Sequence, residues 1–112
     1  MSQFRHERIS EEIRRQAGKF IAEEAARETL ITPTRVLVNP DMKKAIIYVS
    51  VYPQSGEESA YHFLRRKRTD FKHYVKKNTR MGRIPQFDFV IDEGEKNRLA
   101  IDQISQSLPK ED

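Results

Sequence analysis

Apolar residues recur every three or four positions in the first quarter of the chain. They are Ile9, Ile13, Ala17, Phe20, Ile21 and Ala25. This spacing places them on one face of an α-helix whose other face is charged. Ser10, followed by Glu11 and Glu12, supplies a capping hydroxyl and acids suited to a helix N-terminus, so we expect the helix to begin there or one turn earlier. Pro33 disfavours helical backbone before it, and we expect the helix to end near Glu28.

Two segments rich in β-branched and aromatic residues follow, at 34–38 and 44–52. The connector between them, Asn-Pro-Asp-Met-Lys at 39–43, has the composition of a turn and predicts an antiparallel hairpin. Alternation along the second strand predicts a core face made of Ala45, Ile47, Val49 and Val51. Tyr48 and Tyr52 then lie on the other, half-exposed face, where packing across strands is a commoner role than stacking on bases.

A basic run interrupts the next helical pattern. Glu57 and Glu58 form an acidic first turn. The inward residues of this helix are Ala60, Phe63 and Leu64. After the basic run at 65–68, an apolar stripe restarts in a new register at Phe71, Tyr74 and Val75. We therefore predict two helices joined at a kink near residues 68–70, with Asp70 or Thr69 as the second cap.

The last third of the chain predicts a third strand and a short helix. Gly82 is expected to stop the preceding helix in a left-handed conformation, and Pro85 forbids its continuation. Residues 86–92 alternate, with Phe87, Phe89 and Ile91 inward, and a weaker helical stripe covers 97–107. A length of 112 residues allows one domain. We expect a single α+β domain over residues 1–108, a three-stranded sheet packed on helices, and a disordered tail at 109–112.

The formal net charge of +4 conceals a polarised chain. Residues 61–84 hold nine basic side chains and one acid, a balance of +8, whereas the other residues sum to −4. The nine candidate binding residues are Arg65, Arg66, Lys67, Arg68, Lys72, Lys76, Lys77, Arg80 and Arg83. Lys72, Lys76, Arg80 and Arg83 follow helical steps, which predicts one ridge of about 16 Å on the second helix of the pair. Such a surface favours polyanions, nucleic acid before membrane.

The residue inventory excludes most catalytic chemistry. There is no cysteine, so thiolate metal sites and thiol nucleophiles are excluded and a reducing compartment is expected. The four glycines are too far apart to form a phosphate-binding glycine motif or the usual KH loop. The three histidines have no metal-binding spacing, and the sequence contains no nucleophile motif. We therefore expect a protein that is not an enzyme and that uses no cofactor and no metal.

Four stretches of residues, taken in order, resemble a known family. Residues 8–14 (Arg-Ile-Ser-Glu-Glu-Ile-Arg) resemble its opening helix, and residues 36–51 resemble its hairpin, with an Asn-Pro-Asp turn and an Ala-x-x-Tyr-Val strand. Residues 80–89 resemble the basic helix end, proline and third strand, and residues 95–99 resemble the short segment after it. The chain is thereby similar to the ribosome-binding factor A family, small bacterial factors of 30S subunit maturation.

The resemblance implies a type II KH-like fold, α-β-β-α-kink-α-β, in which the kinked helix pair replaces the glycine loop. It implies binding to 16S rRNA in the immature 30S subunit, help in late processing and cold adaptation, and release from the mature subunit. A cytoplasmic monomer with no membrane or small-molecule partner is expected. Two alternatives use the same basic residues: a generic nucleic-acid-binding module, and a docking domain for an acidic protein.

Overall fold

The computed structural model describes residues 2–25 and 28–94, and within them the predicted order of elements is observed. The elements are α1 (Ser2–Glu24), β1 (Leu30–Val38), β2 (Lys44–Tyr52), a 3₁₀ turn (Gln54–Gly56), α2 (Glu57–Arg66), α3 (Arg68–Asn78) and β3 (Gln86–Ile91). The predicted α+β class and the α-β-β-α-kink-α-β order are confirmed. The helix expected at 97–107 and the tail at 109–112 lie outside the described residues, and the domain boundary at 108 stays a prediction.

The three strands form a mixed sheet in the order β1-β2-β3. β1 and β2 are an antiparallel hairpin, with Leu30 opposite Tyr52 and Val38 opposite Ala45. β3 pairs parallel to β2, starting with Lys44 opposite Gln86. A parallel partner requires a crossover, which α2 and α3 provide. The helix pair is therefore fixed against the sheet by the chain topology.

The helices cover one face of the sheet, and an aromatic cluster lies at the centre of that layer. Phe71 of α3 is fully buried, and its ring centroid lies 4.7 Å from that of Phe87 and 5.3 Å from that of Phe20. The predicted core face of β2 is confirmed, because Ala45, Ile47, Val49 and Val51 are all buried. In β3, two of the three residues predicted to point inward are buried and Ile91 is half-buried.

Three element boundaries in the first third of the chain differ from the predictions. α1 ends at Glu24, four residues before the predicted end near Glu28. α1 begins at Ser2, so Ser10 lies inside the helix and is not its cap; residues 3–8 are rich in Gln, Arg and Glu, which favour helix. β1 begins at Leu30, four residues earlier than predicted. Pro33 is tolerated in it because β1 is an edge strand and the register shifts between Pro33 and Arg35, where a missing N–H breaks no ladder.

The helix pair also ends and bends at other residues than predicted. The junction is Lys67, with φ −96° and ψ 6°, so Thr69 and Asp70 lie in the first turn of α3 and neither caps it. α3 ends at Asn78, where Thr79 turns extended and its hydroxyl donates to the Val75 carbonyl oxygen at 2.8 Å. Gly82 lies beyond the helix without a positive φ, so the predicted left-handed stop was wrong. The helix ends at an extended threonine, three residues before the glycine that was expected to stop it.

Candidate nucleic-acid interface

The first four candidate residues lie at the α2–α3 junction, and two of them are tied to neighbouring elements. Lys67 Nζ is 3.2 Å from a carboxylate oxygen of Glu24 in α1, and it also approaches Asp70 at 3.7 Å. Arg68 pairs with Asp88 of β3 at 3.3 Å and donates to the Arg65 carbonyl oxygen. These two cations therefore fix the junction against α1 and β3. Their charges are already compensated within the molecule.

Arg65 and Arg66 are exposed at the end of α2. Arg65 donates to the Tyr61 hydroxyl at 2.9 Å and lies 5.5 Å from the centroid of that ring. This contact orients the guanidinium without neutralising it. Arg66, the last residue of α2, is exposed beside it. Both arginines are placed at the solvent side of the junction, where an anionic partner can reach them.

The three lysines of α3 lie on its outer side because apolar residues anchor its inner side. Phe71 and Val75, one turn apart, are fully buried. At 3.6 residues per turn, Lys72 and Lys76 are separated by about 40° around the axis, and Lys77 lies about 100° further on. Lys76 and Lys77 are exposed, Lys72 is half-buried, and none of the three makes an ion pair with another described residue. We call Lys72, Lys76 and Lys77 the α3 lysines.

The predicted helical ridge is shorter than expected. Because α3 ends at Asn78, the helical part of the ridge runs only from Lys72 to Lys76, about 6 Å at 1.5 Å per residue. Arg80 and Arg83 belong to the loop between α3 and β3. The sequence steps of four and three were therefore not a helical pattern at that end, and the basic surface consists of separate groups.

Arg80 and Arg83 line a groove together with residues that the sequence did not single out. The groove has a volume of about 800 Å³, and its basic lining also includes His6 and Arg8 of α1. The hairpin turn contributes Pro40, Asp41 and Met42. Because residue 8 is some seventy positions away from the loop, the net charge of segment 61–84 gave no signal for it. In the sequence, Arg8 is a basic residue near the start of an amphipathic helix, and this position alone does not indicate that it lines a groove.

The side of α3 that faces α1 is mixed in charge. Lys77 shares a depression of about 460 Å³ with Glu23, Glu24 and Asp70. Tyr74 borders the same depression, and its burial, with a smaller contribution from Glu23, raises the pKa of its hydroxyl above the usual 10.0. Tyr74 therefore stays uncharged at neutral pH. The directions with an excess of positive charge are the outer face of α3 and the groove beyond it.

The other face of the sheet shows what the two tyrosines of β2 do. Arg35 of β1 stacks over the Tyr48 ring, with its guanidinium carbon 4.0 Å from the ring centroid. The cross-strand role predicted for Tyr48 is therefore observed, since Arg35 and Tyr48 are register partners. Tyr52 is 68% exposed and lies opposite Leu30.

The arrangement suits charge recognition. Among residues 2–25 and 28–94, no group of three His, Asp or Glu side chains is placed to hold a metal ion. Within the same residues, no helix is both long and apolar enough to cross a membrane. What the surface presents is a set of lysines and arginines on rigid elements, which is the chemistry that contacts phosphates.

Comparison with known proteins identifies the family. A family model described as ribosome-binding factor A matches residues 5–105. The ribosome-binding factor A of Caldanaerobacter subterraneus subsp. tengcongensis is 25% identical over 114 residues, which cover 98% of this chain and 93% of that protein.

A crystal structure and a fitted homology model carry the same fold. The crystal structure of ribosome-binding factor A from Thermus thermophilus matches with a TM-score of 0.69 at 21% identity, over 77% of this chain and 94% of that one. A Thermus thermophilus ribosome-binding factor A homology model, fitted into a cryo-electron microscopy map of a 30S complex, matches with a TM-score of 0.64 at 22% identity, over 73% and 89% of the two chains. With nearly its whole length matched by the family model, the chain belongs to the ribosome-binding factor A family.

Proposed function

We propose that this protein binds the small ribosomal subunit during its maturation and contacts 16S rRNA through the nine basic residues of segment 61–84. The observation that carries the proposal is the α3 lysines: the inner side of α3 is buried, and the lysines make no ion pair with any described residue, in a member of this family. A relative fitted into a 30S map supports the choice of particle. Lysines on a rigid helix bind phosphates as point charges and position the protein on folded RNA.

In the proposed role, the protein binds the subunit only while the subunit is immature. The protein binds the immature 30S particle as a cytoplasmic monomer, aids late processing of the 16S rRNA, and leaves the mature subunit. Its contribution is largest during growth in the cold. Binding needs no cofactor, no small-molecule substrate and no membrane, because charge and shape provide the recognition.

Co-sedimentation with immature 30S particles tests the surface. The test variant is Lys72→Gln/Lys76→Gln/Lys77→Gln, and the matched control is Arg14→Gln/Arg15→Gln/Lys19→Gln, which removes the same charge from α1. In the control region Arg14 and Arg15 are already paired with Glu11 and Glu12. Each lost phosphate contact weakens binding roughly four- to fivefold at physiological salt, so the α3 variant should bind about 100-fold more weakly while the control binds like the wild type. Wild-type binding by the α3 variant would contradict the proposed surface.

A strain lacking the gene tests the role. We expect 16S rRNA precursor and free subunits to accumulate, most strongly in the cold, and the wild-type gene but not the α3 variant to restore normal levels. Normal precursor and subunit levels in the deletion strain would rule out the maturation role. Competition between 30S particles and duplex DNA at equal salt separates the alternatives. If duplex DNA displaces the protein from the particles as well as other 30S particles do, a generic nucleic-acid module is favoured. Failure of the wild type to bind any RNA would favour a docking domain for an acidic protein.

A further inference from the structure

The groove beyond α3 combines cations from two distant segments with an apolar wall. Arg8 comes from α1, and Arg80 and Arg83 come from the α3–β3 loop. All three arginines are exposed, and none makes an ion pair with another residue in the described part of the chain. With three arginines and the carboxylate of Asp41 in its lining, the groove holds an excess of positive charge in a concave site, where it attracts anions more strongly than on a convex surface.

The wall of the groove is apolar and is held by the core. Ile9 and Met81 line the groove and also pack against the hydrophobic core, and Pro40 and Met42 of the hairpin turn complete the wall. The loop that carries Met81 is fixed at its start, because the Met81 N–H donates to the Thr79 hydroxyl oxygen at 3.3 Å. Among the described residues that line the groove, Asp41 is the acid, and its Oδ1 is held by the turn, where it accepts the Lys43 N–H at 3.0 Å.

Met42 has a backbone conformation that methionine rarely adopts. Its φ is 63°, in the left-handed region that favours glycine. The turn is nevertheless closed by regular hydrogen bonds, from the Met42 N–H to the Asn39 carbonyl oxygen at 2.8 Å and from the Asn39 N–H to the Lys44 carbonyl oxygen at 2.9 Å. Glycine would fit this turn without strain, so a side chain at position 42 costs stability and gives the groove part of its wall.

We propose that this groove binds one unpaired nucleotide of single-stranded RNA, with its phosphates at Arg8, Arg80 and Arg83 and its base against Met42 and Met81. A volume of about 800 Å³ accommodates a ligand of nucleotide size. Phosphate groups alone would need the arginines but not the apolar wall. Flipped or unpaired bases are the RNA groups that insert between apolar side chains and guanidinium planes. A duplex, whose bases are stacked inside, cannot use the wall.

The inference rests on the proposed function and extends it to a second contact outside α3. Anisotropy of a fluorescein-labelled single-stranded RNA of ten nucleotides, and of the same strand in a duplex, tests it with full-length protein. Arg80→Gln/Arg83→Gln should weaken single-strand binding about 20-fold, at roughly four- to fivefold per contact. Met42→Gly changes no charge and should weaken single-strand binding severalfold, leave duplex binding unchanged and raise the melting temperature. The matched charge control is Arg15→Gln/Lys19→Gln, which should bind both RNAs like the wild type.

A cross-link locates the base directly. An oligonucleotide with a single 4-thiouridine, irradiated with wild-type protein, should attach to the peptides that contain Met42 or Met81. The proposal is overturned if both groove variants bind the single strand like the wild type, if Met42→Gly weakens duplex and single-strand binding equally, or if the cross-link falls only on α3. These outcomes are independent of co-sedimentation with 30S particles, so loss of the groove contact and loss of the proposed function are distinguishable.

Discussion

The intramolecular ion pairs predict that the nine basic residues contribute unequally to RNA binding. Two double variants remove the same charge from neighbouring positions: Lys67→Gln/Arg68→Gln at the junction, and Lys76→Gln/Lys77→Gln on α3. Lys67 and Arg68 lie 3.2 and 3.3 Å from carboxylate oxygens, whereas Lys76 and Lys77 have no ion-pair partner among the described residues. A cation already compensated by a carboxylate holds few phosphate contacts, because it must give up its partner to make them.

The size of the difference follows from counterion release. Each phosphate contact contributes about 0.7 to 0.9 to the slope of log affinity against log salt. Loss of both α3 contacts should therefore lower that slope by about 1.4 to 1.8 and weaken binding roughly 20-fold at physiological salt, equivalent to about 1.8 kcal/mol. The junction variant should lower the slope by less than one contact.

In stability, the junction variant should be affected more than the α3 variant. Lys67 and Arg68 hold the junction to α1 and β3, and their side chains are 32% and 39% exposed, so each pair contributes about 0.2 to 1 kcal/mol after screening by solvent. The junction variant should lose up to about 2 kcal/mol of unfolding free energy, and the α3 variant should stay within about 0.5 kcal/mol of wild type.

Two measurements test the predicted differences in RNA binding and stability between the two variants. Anisotropy titrations of a labelled 16S rRNA fragment between about 50 and 200 mM KCl give the slopes, and urea denaturation gives the unfolding free energies. If the junction variant lowers the salt slope as much as the α3 variant does, Lys67 and Arg68 contact phosphates in spite of their ion pairs, which contradicts the prediction. Unchanged stability in the junction variant would contradict its structural role.

Three further predictions concern stability. Phe71→Ala should lose about 3 to 5 kcal/mol in urea denaturation, because its fully buried ring leaves a cavity in the aromatic cluster, while the exposed Tyr52→Ala should change little. Gly82→Ala should be neutral or stabilising by up to about 1 kcal/mol, since its Cβ would meet open space and no positive φ is required. A loss of stability would indicate that Gly82 adopts the left-handed conformation after all. The Gln16 amide, with a smaller contribution from an arginine, holds the pKa of Glu12 below its usual 4.5. A carboxyl with a depressed pKa stabilises the fold above its unfolded pKa and loses that effect as pH falls below about 4.5, so melting temperature should drop there less in Glu12→Gln than in wild type.

The sequence predicted best the elements whose pattern is repeated at several positions. The bounds of β2 and its core face were correct because alternation over nine residues leaves one choice of buried face. The boundaries of α1 and β1 were wrong because each depended on a single residue. Ser10 predicts a cap and Pro33 predicts a helix end, but a serine is tolerated inside a helix and a proline in an edge strand.

The candidate surface was predictable as a charge excess but not as a shape. The basic residues of segment 61–84 were visible from composition, whereas their division into junction, helix and groove depends on where α3 stops. α3 ends where the Thr79 backbone becomes extended, a local conformation that has no strong sequence signature. Arg8 joins the groove only through the tertiary packing of α1, which the local pattern does not encode.

The backbone at the junction determines which groups are left to bind phosphate. In Lys67 the N–H is shared between the carbonyl oxygens of Phe63 and Leu64, each at 3.1 Å, and the Lys67 carbonyl oxygen accepts the Phe71 N–H at 2.8 Å. A glycine loop presents N–H groups to a phosphate; at this kink the Lys67 N–H is already bonded within the helix pair, whereas α3 begins without a side-chain cap. Exposed cations flank this kink on both helices, and we expect them to supply most of the phosphate contacts. Affinity that rests on cations falls steeply with salt, whereas affinity from backbone N–H groups would not release counterions in the same measure, so the salt slope is the measurement that distinguishes this helix pair from a glycine loop.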